Sequence, residues 1–187
     1  MVARRRKPAD RTAPDASGRV PRDALGFYGY RVRDVMTRPV VAVEATASLT
    51  EAASRMSRRG ISGLPVLGPG GRLIGVVSQK DILRILGDRA GLRLPGSVFD
   101  LVLARSAAGR SDLAEACRRE LDRSKVRDAM SHPALCVEPE ASLDDAVKTM
   151  VQAKINRLPV VARGKMVGIV TRSDLLSGLS TGSAAPP

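Results

Sequence analysis

Two stretches decide how this chain folds: VRDVMTRPVVAVEATASLTEAASRMSRRGISGLPVL, from Val32 to Leu67, and VRDAMSHPALCVEPEASLDDAVKTMVQAKINRLPVV, from Val126 to Val161. They align without a gap at an offset of 94, and 16 of the 36 positions are identical. One residue fewer in the following turn of the second copy shifts the offset to 93, where LIGVVSQKDIL from Leu73 meets MVGIVTRSDLL from Met166. Similarity this long at a fixed spacing is an internal duplication, and it governs the fold before any local propensity does.

Each copy carries the same succession of signals. A short extended piece, Val40–Val43 or Ala134–Val137, precedes a helix start. Ser48 and Ser142 stand as N-caps, with Glu51 and Asp145 three residues on, the spacing of a capping box. Leu49, Ala52, Ala53 and Met56 then recur at i, i+3, i+4 and i+7, as do Leu143, Ala146, Val147 and Met150, which gives one apolar helix face. Two brief apolar runs follow, joined by a turn at Gly68-Pro69-Gly70-Gly71 or at Arg163-Gly164-Lys165. Ser78 and Thr171 then open second helices bearing Ile82, Leu83, Ile85 and Leu86, or Leu175, Leu176 and Leu179. The unit is β-α-β-β-α and the class α/β (α+β). One such sheet has too little apolar cover alone, so two units are expected to pack together.

The boundaries that follow are 31–87 for the first copy and 125–179 for the second. Residues 1–25 are rich in Arg, Pro and Ala and predict a disordered basic leader, and 180–187 a disordered tail. The insertion at 88–124 holds a short apolar piece with Val98, Phe99, Leu101, Val102 and Leu103, then a helix from about Ser111 with Leu113, Cys117 and Leu121 on one face.

Composition narrows the function. With 187 residues, no Trp, two Tyr and two Phe, the core must be aliphatic, and stacking platforms for single-stranded nucleic acid are scarce. The formal net charge is +12; up to Arg33 nine Arg or Lys stand against three Asp, 9 − 3 = +6, so half the excess lies in the first 33 residues. Two distant cysteines, Cys117 and Cys136, make neither a disulfide framework nor a zinc site. No apolar run approaches the ~20 residues of a membrane span, and the N-terminus lacks the apolar stretch of a signal peptide, so the cytoplasm is the expected location.

The constellation with chemical content is G-h-h-[ST]-x-x-D, where h is apolar. It occurs as Gly75-Val76-Val77-Ser78-Gln79-Lys80-Asp81 and as Gly168-Ile169-Val170-Thr171-Arg172-Ser173-Asp174. A strand feeding a helix N-terminus gathers free N–H groups and the positive dipole end, which suits a phosphate. A hydroxyl in the first turn can donate to that phosphate, a carboxylate one turn later can accept from a ribose, and Lys80 and Arg172 add charge. The same [ST]-x-x-D spacing is also a helix cap that only satisfies backbone groups. Spacing alone leaves both readings open.

V-R-D-x-M-[TS]-x-P at each start, I-x-x-L-P-V in the middle and G-h-h-[ST]-x-x-D at each end, in order and twice, resemble the tandem cystathionine-β-synthase (CBS) motif pair, or Bateman module. The resemblance implies two motifs packed through their sheets about a pseudo-twofold, with clefts for adenosine-containing ligands such as AMP, ADP, ATP or S-adenosylmethionine. By position it assigns the ribose to Asp81 and Asp174, and the phosphate side to Ser78 and Thr171. It sets Ile61, Ser62 and Gly63, or Ile155, Asn156 and Arg157, against the base. Thr37, Pro39 and Val40, or Ser131, Pro133 and Ala134, lie nearby. Arg157 is bulkier and more charged than Gly63, so the clefts should differ in preference. Association into a homodimer through the helical faces is also implied.

Other residues offer less. His132 has no acid or nucleophile motif to orient it as a base. Asp144 and Asp145, like Glu138 and Glu140, sit where a helix dipole accounts for them. Gly70-Gly71 is not followed by a phosphate-loop signature. Arg4-Arg5-Arg6-Lys7 suits nucleic acid or an anionic membrane, or simply solvent. The expected function is a regulatory sensor that binds an adenosine ligand and signals to a separate partner. The alternatives are a dimeric scaffold with empty clefts, or a basic nucleic-acid-associated protein acting through its leader. Catalysis ranks last: no catalytic residue set, catalytic cofactor or metal is expected.

Overall fold

The computed structural model describes residues 30–90 and 112–181. Along them run α1 (Val32–Val35), β1 (Val43–Glu44), α2 (Leu49–Arg59), β2 (Gly63–Leu67), a 3₁₀ turn (Pro69–Gly71), β3 (Leu73–Ser78) and α3 (Gln79–Ala90). Then come α4 (Asp112–Arg123), α5 (Val126–Ala129), α6 (Leu143–Gln152), β4 (Arg157–Ala162), β5 (Lys165–Thr171) and α7 (Arg172–Thr181). One sheet has the order β1-β2-β3, with β1 parallel and β3 antiparallel to β2; the other is the hairpin β4-β5. The class is α/β (mixed α+β), as the duplication implied. The leader 1–25, the apolar piece Val98–Leu103 and residues 182–187 lie outside the described residues.

Helix ends follow the sequence signals closely. The Ser48 hydroxyl accepts from Glu51 N at 3.2 Å and that of Ser142 from Asp145 N at 3.1 Å. Only the second cap is reinforced by the acidic side chain: Ser142 Oγ donates to Asp145 Oδ2 at 2.7 Å, whereas Glu51 turns to Arg55 at 2.6 Å. Gly60 ends α2 at φ 62°, and Lys154, aligned with it, takes φ 54° after α6. Both permit the same backbone return, from Ile61 N to Met56 O and from Ile155 N to Met150 O, each 2.9 Å. Ser78 and Thr171 close their strands, and α3 and α7 begin one residue later than the sequence reading placed them. Both helices also pass the expected boundaries, to Ala90 and Thr181, since neither extension meets a proline.

The two copies differ at their first strand. Ala45 N donates to Leu67 O at 2.9 Å, which carries β1 alongside β2. The aligned residue in the second copy is Pro139, which has no N–H to give. There the expected strand Ala134–Val137 reduces to a single parallel bridge between Val137 and Val160.

The described residues divide into two compact units: 30–38, 137–160 and 168–181 in one, and 39–90, 112–136 and 161–167 in the other. Each unit therefore holds most of one copy plus the leading turn of the other. In one, Val32 N donates to Ala141 O and Arg33 N to Pro139 O, both 3.0 Å. In the other, Val126 N donates to Ala47 O at 2.9 Å and Arg127 N to Ala45 O at 3.0 Å. The turns α1 and α5 are closed by Asp34 and Asp128, whose carboxylates accept from Arg31 N at 2.7 Å and Lys125 N at 3.0 Å. The core of the second unit is aliphatic throughout, built on Leu49, Met56, Leu64, Val66, Val77, Ile82 and Leu86. Helix α4 packs on α2 and α3 and adds Cys117 and Leu121 to that core. Each fully buried side chain of this size contributes roughly 1.5–3 kcal/mol.

Candidate functional site

Where β3 passes into α3, the Ser78–Asp81 pair closes a tight cap. Asp81 Oδ2 accepts from Ser78 N at 2.9 Å and from Ser78 Oγ at 2.6 Å, while Asp81 N reaches Ser78 Oγ at 3.4 Å. Gln79 N, another first-turn donor, goes to Ser62 O at 3.0 Å. The second carboxylate oxygen, Oδ1, makes no hydrogen bond among the described residues; its nearest cation is Arg84, at 3.9 Å. Arg84 is held at that distance by its own bond to Ala129 O, 3.2 Å. The leading segment of the second copy runs beside this corner: Val76 N donates to Ser131 O at 3.0 Å and Ser131 N to Val76 O at 2.9 Å.

The passage from β5 into α7 repeats the arrangement. Asp174 Oδ2 accepts from Thr171 N and from Thr171 Oγ1, both 2.7 Å, and Arg172 N donates to Asn156 O at 3.1 Å. Here the neighbouring segment comes from the first copy, with Thr37 N on Ile169 O at 2.8 Å and Ile169 N on Thr37 O at 3.2 Å. One contact has no counterpart in the other corner: Thr37 Oγ1 donates to Asp174 Oδ1 at 3.3 Å.

The glycine that opens each motif is fixed by this crossing. A Cβ on Gly75 would stand 2.8 Å from both Met130 Sδ and Ser131 O. A Cβ on Gly168 would fall inside contact distance of Met36 Sδ and 3.0 Å from Met36 Cγ. The methionine of each V-R-D-x-M thus packs on the glycine of the other copy's G-h-h-[ST]-x-x-D, which ties two motifs that the sequence presents as separate.

The residues assigned by resemblance are therefore regrouped. Ser131, Pro133 and Ala134 belong to the unit of Ile61, Ser62, Gly63, Ser78, Lys80 and Asp81. Thr37 belongs with Ile155, Asn156, Arg157, Thr171, Arg172 and Asp174, while Pro39 and Val40 fall in the Asp81 unit. Each corner thus draws on residues of both copies, because the leading turns dock on the opposite copy. Sequence reasoning marked Met36 and Met130 only as the repeated methionine of V-R-D-x-M and missed Arg84. Lys80, Arg172, Ser131 and His132 are exposed, and Gly63 is buried.

Charges elsewhere serve the scaffold. Glu140 pairs with Arg33 and raises that guanidinium above its ordinary value. The bond from Ser142 holds the Asp145 carboxyl below the usual range, with a smaller contribution from Lys148. Burial pushes the Cys117 thiol up. Among the described residues, no three His, Cys, Asp or Glu gather to hold a metal, and no helix is long and apolar enough to cross a membrane.

Duplicated strand–helix corners on two small sheets define a tandem CBS-motif protein. The chain belongs to the CBS domain family, whose profile matches residues 32–88 and 126–181. It is 34% identical over 154 residues to uncharacterized protein MJ1426 of Methanocaldococcus jannaschii, covering 79% of this chain and 90% of that one. It is 31% identical to the chloroplastic CBS domain-containing protein CBSX1 of Arabidopsis thaliana, covering 79% of this chain but 63% of that protein. Among solved structures, the CBS domain of a CBS domain-containing membrane protein from Sphaerobacter thermophilus is similar, with 29% identity, TM-score 0.66 and coverage of 83% and 93%. CBSX2 in complex with AMP shares 26% identity, TM-score 0.62, over 83% of this chain and all of that one.

Proposed function

We propose that this chain is a regulatory module that binds an adenosine-containing ligand at the Ser78/Asp81 and Thr171/Asp174 corners and reports its occupancy to a separate partner. The observation that carries this reading is the division of labour in Asp81. One oxygen caps the helix through Ser78, and the other remains available to accept from a ribose hydroxyl. The cap and the ligand site are thus compatible in one geometry, and capping does not exhaust the carboxylate. Exposed Lys80 and Arg172, at the helix N-termini, suit the phosphate end. The AMP complex of the similar CBSX2 supports the ligand class.

In this reading Ile61, Ser62 and Gly63, with Ser131, Pro133 and Ala134, receive the base at the first corner. Ile155, Asn156 and Arg157, with Thr37, receive it at the second. Pro39 and Val40 are the remaining assigned positions. The module works as a homodimer and holds no catalytic group; its ligand is the signal. Isothermal titration with AMP, ADP, ATP and S-adenosylmethionine tests it: at least one gives saturable heat that Asp81→Ala and Asp174→Ala together abolish. No heat with any of the four, together with an unchanged melting temperature, refutes the reading.

A further inference from the structure

The two corners are alike in cap, in carbonyl partner and in bridging backbone, yet they differ in what faces the outer oxygen of the carboxylate. We propose that Thr37 is a specificity-determining residue that makes the corners unequal, occupying the ribose-accepting oxygen of Asp174 while the matching oxygen of Asp81 stays open. The inference rests on the reading of these corners as adenosine-ligand sites.

Asp174 receives three donors in this structure: Thr171 N and Thr171 Oγ1 on Oδ2, and Thr37 Oγ1 on Oδ1. Among the described residues, Asp81 accepts hydrogen bonds from Ser78, both on Oδ2, and Arg84 stands 3.9 Å from Oδ1. Ser131 holds the position of Thr37, with the same pair of backbone bonds to the neighbouring strand, but its hydroxyl makes no hydrogen bond to Asp81. The side chains explain the difference. Thr is β-branched and more restricted at χ1 than Ser, which favours the rotamer that points its hydroxyl at Asp174. The position of Arg84, the cation nearest Asp81 Oδ1, is taken in the second corner by the neutral Ser177.

A ribose diol must therefore displace Thr37 from Asp174 or share the oxygen with it, whereas at Asp81 it meets no hydroxyl there, only Arg84 at 3.9 Å. The Thr37 hydroxyl is exposed and its bond is long, so water recovers much of what is lost when it swings away. The net handicap is that of one modest hydrogen bond, about five- to tenfold in affinity. The Asp81 corner fills first and the Asp174 corner only at higher ligand concentration, a two-stage response from one chain.

The test is isothermal titration of the full chain with AMP, each corner being isolated by disabling the other. In an Asp81→Ala background, Thr37→Val removes the hydroxyl at nearly constant volume and should tighten AMP about five- to tenfold. In an Asp174→Ala background, Ser131→Thr installs the competitor and should weaken AMP by a similar factor, which keeps the proposal testable should Thr37→Val fold poorly. Heat that depends on Asp174 but is unchanged or weakened by Thr37→Val overturns the role of Thr37 and leaves the ligand reading standing. Absence of heat in the wild type and in every variant overturns both.

Discussion

Gly75→Ala and Gly168→Ala make the same chemical change at aligned positions, and the structure requires them to respond differently to a second substitution. At Gly168 the atoms nearest the added methyl all belong to the Met36 side chain. At Gly75 they are Met130 Sδ at 2.8 Å, Met130 Cγ at 3.2 Å and the backbone oxygen Ser131 O at 2.8 Å. Overpacking of this kind costs typically 1–3 kcal/mol. Gly75→Ala also presses on the acceptor of Val76 N, a bond worth about 1 kcal/mol net. The expected loss is roughly 2–4 kcal/mol for Gly75→Ala and about 1–3 kcal/mol for Gly168→Ala. At about 2–4 °C per kcal/mol for a chain of this length, Gly75→Ala lowers Tm by roughly 4–16 °C.

Truncating the methionine separates the causes. Met36→Ala clears the space beside residue 168, so Gly168→Ala becomes nearly neutral in that background. Met130→Ala leaves Ser131 O in place, so Gly75→Ala retains a cost of at least about 1 kcal/mol. Urea unfolding of the four proteins in each double-mutant cycle, with comparable m-values, gives the two coupling energies directly. If Met130→Ala relieves Gly75→Ala as completely as Met36→Ala relieves Gly168→Ala, the claim that backbone closes on Gly75 is wrong. If Gly168→Ala stays costly without the Met36 side chain, the crossed packing itself is wrong.

Three further outcomes follow from single residues. Lys154 holds the left-handed conformation that Gly60 supplies in the first copy, so Lys154→Gly should stabilise the chain by about 1 kcal/mol in urea unfolding, and Gly60→Ala should destabilise it by a similar amount; a destabilising Lys154→Gly would refute the strain. Asp145 has its folded pKa depressed, so its contribution is present above the ordinary carboxylate value near 4 and lost as pH falls through the folded value; the gap in urea midpoint between wild type and Asp145→Asn should be open at pH 7 and shrink below pH 4, and an equal gap at both would contradict the linkage. Cys136 is exposed and Cys117 buried with its thiol pushed up, so Ellman's reagent should titrate one thiol quickly and the second only on unfolding; two fast thiols would place Cys117 outside the core.

The duplication was legible because it needs only self-comparison, and the helices because caps and apolar spacing are local. Ser48, Ser142 and the faces starting at Leu49 and Leu143 stand where those signals put them. Two losses were local too. Pro139 against Ala45 announces a missing strand donor, and Lys154 against Gly60 a strained turn; both are visible once the copies are aligned. What was not legible is the destination of the leading turns. A V-R-D-x-M segment carries no local mark of which sheet it will meet, since docking depends on backbone bonds to Ala45 and Ala47 or to Pro139 and Ala141, far away in sequence. The pairing of Thr37 with Asp174, 137 residues apart, was hidden for the same reason.

That crossing bears on how a ligand at these corners would be read. A switch needs the ligand to bind two arrangements with different affinity. Were each corner built from one copy alone, ligand contacts would stabilise that copy and nothing else. Here Asp81 and Ser78 belong to the first copy and Ser131 to the second, while Asp174 and Thr171 belong to the second and Thr37 to the first. A ligand spanning a corner therefore adds its contacts to the seam where one copy's leading turn meets the other's strand. At each corner that seam is held by two backbone bonds and a methionine packed against glycine, and the leading turn is anchored further by two backbone bonds to Ala45 and Ala47 or to Pro139 and Ala141 and by the buried Val126 or Val32. At a hundred times its Kd a ligand contributes about 2.7 kcal/mol, enough to add measurably to such a seam. A ligand bound at a corner would thus reinforce a seam shared by both copies, and the exchanged leading turns would give its binding something mechanical to act upon.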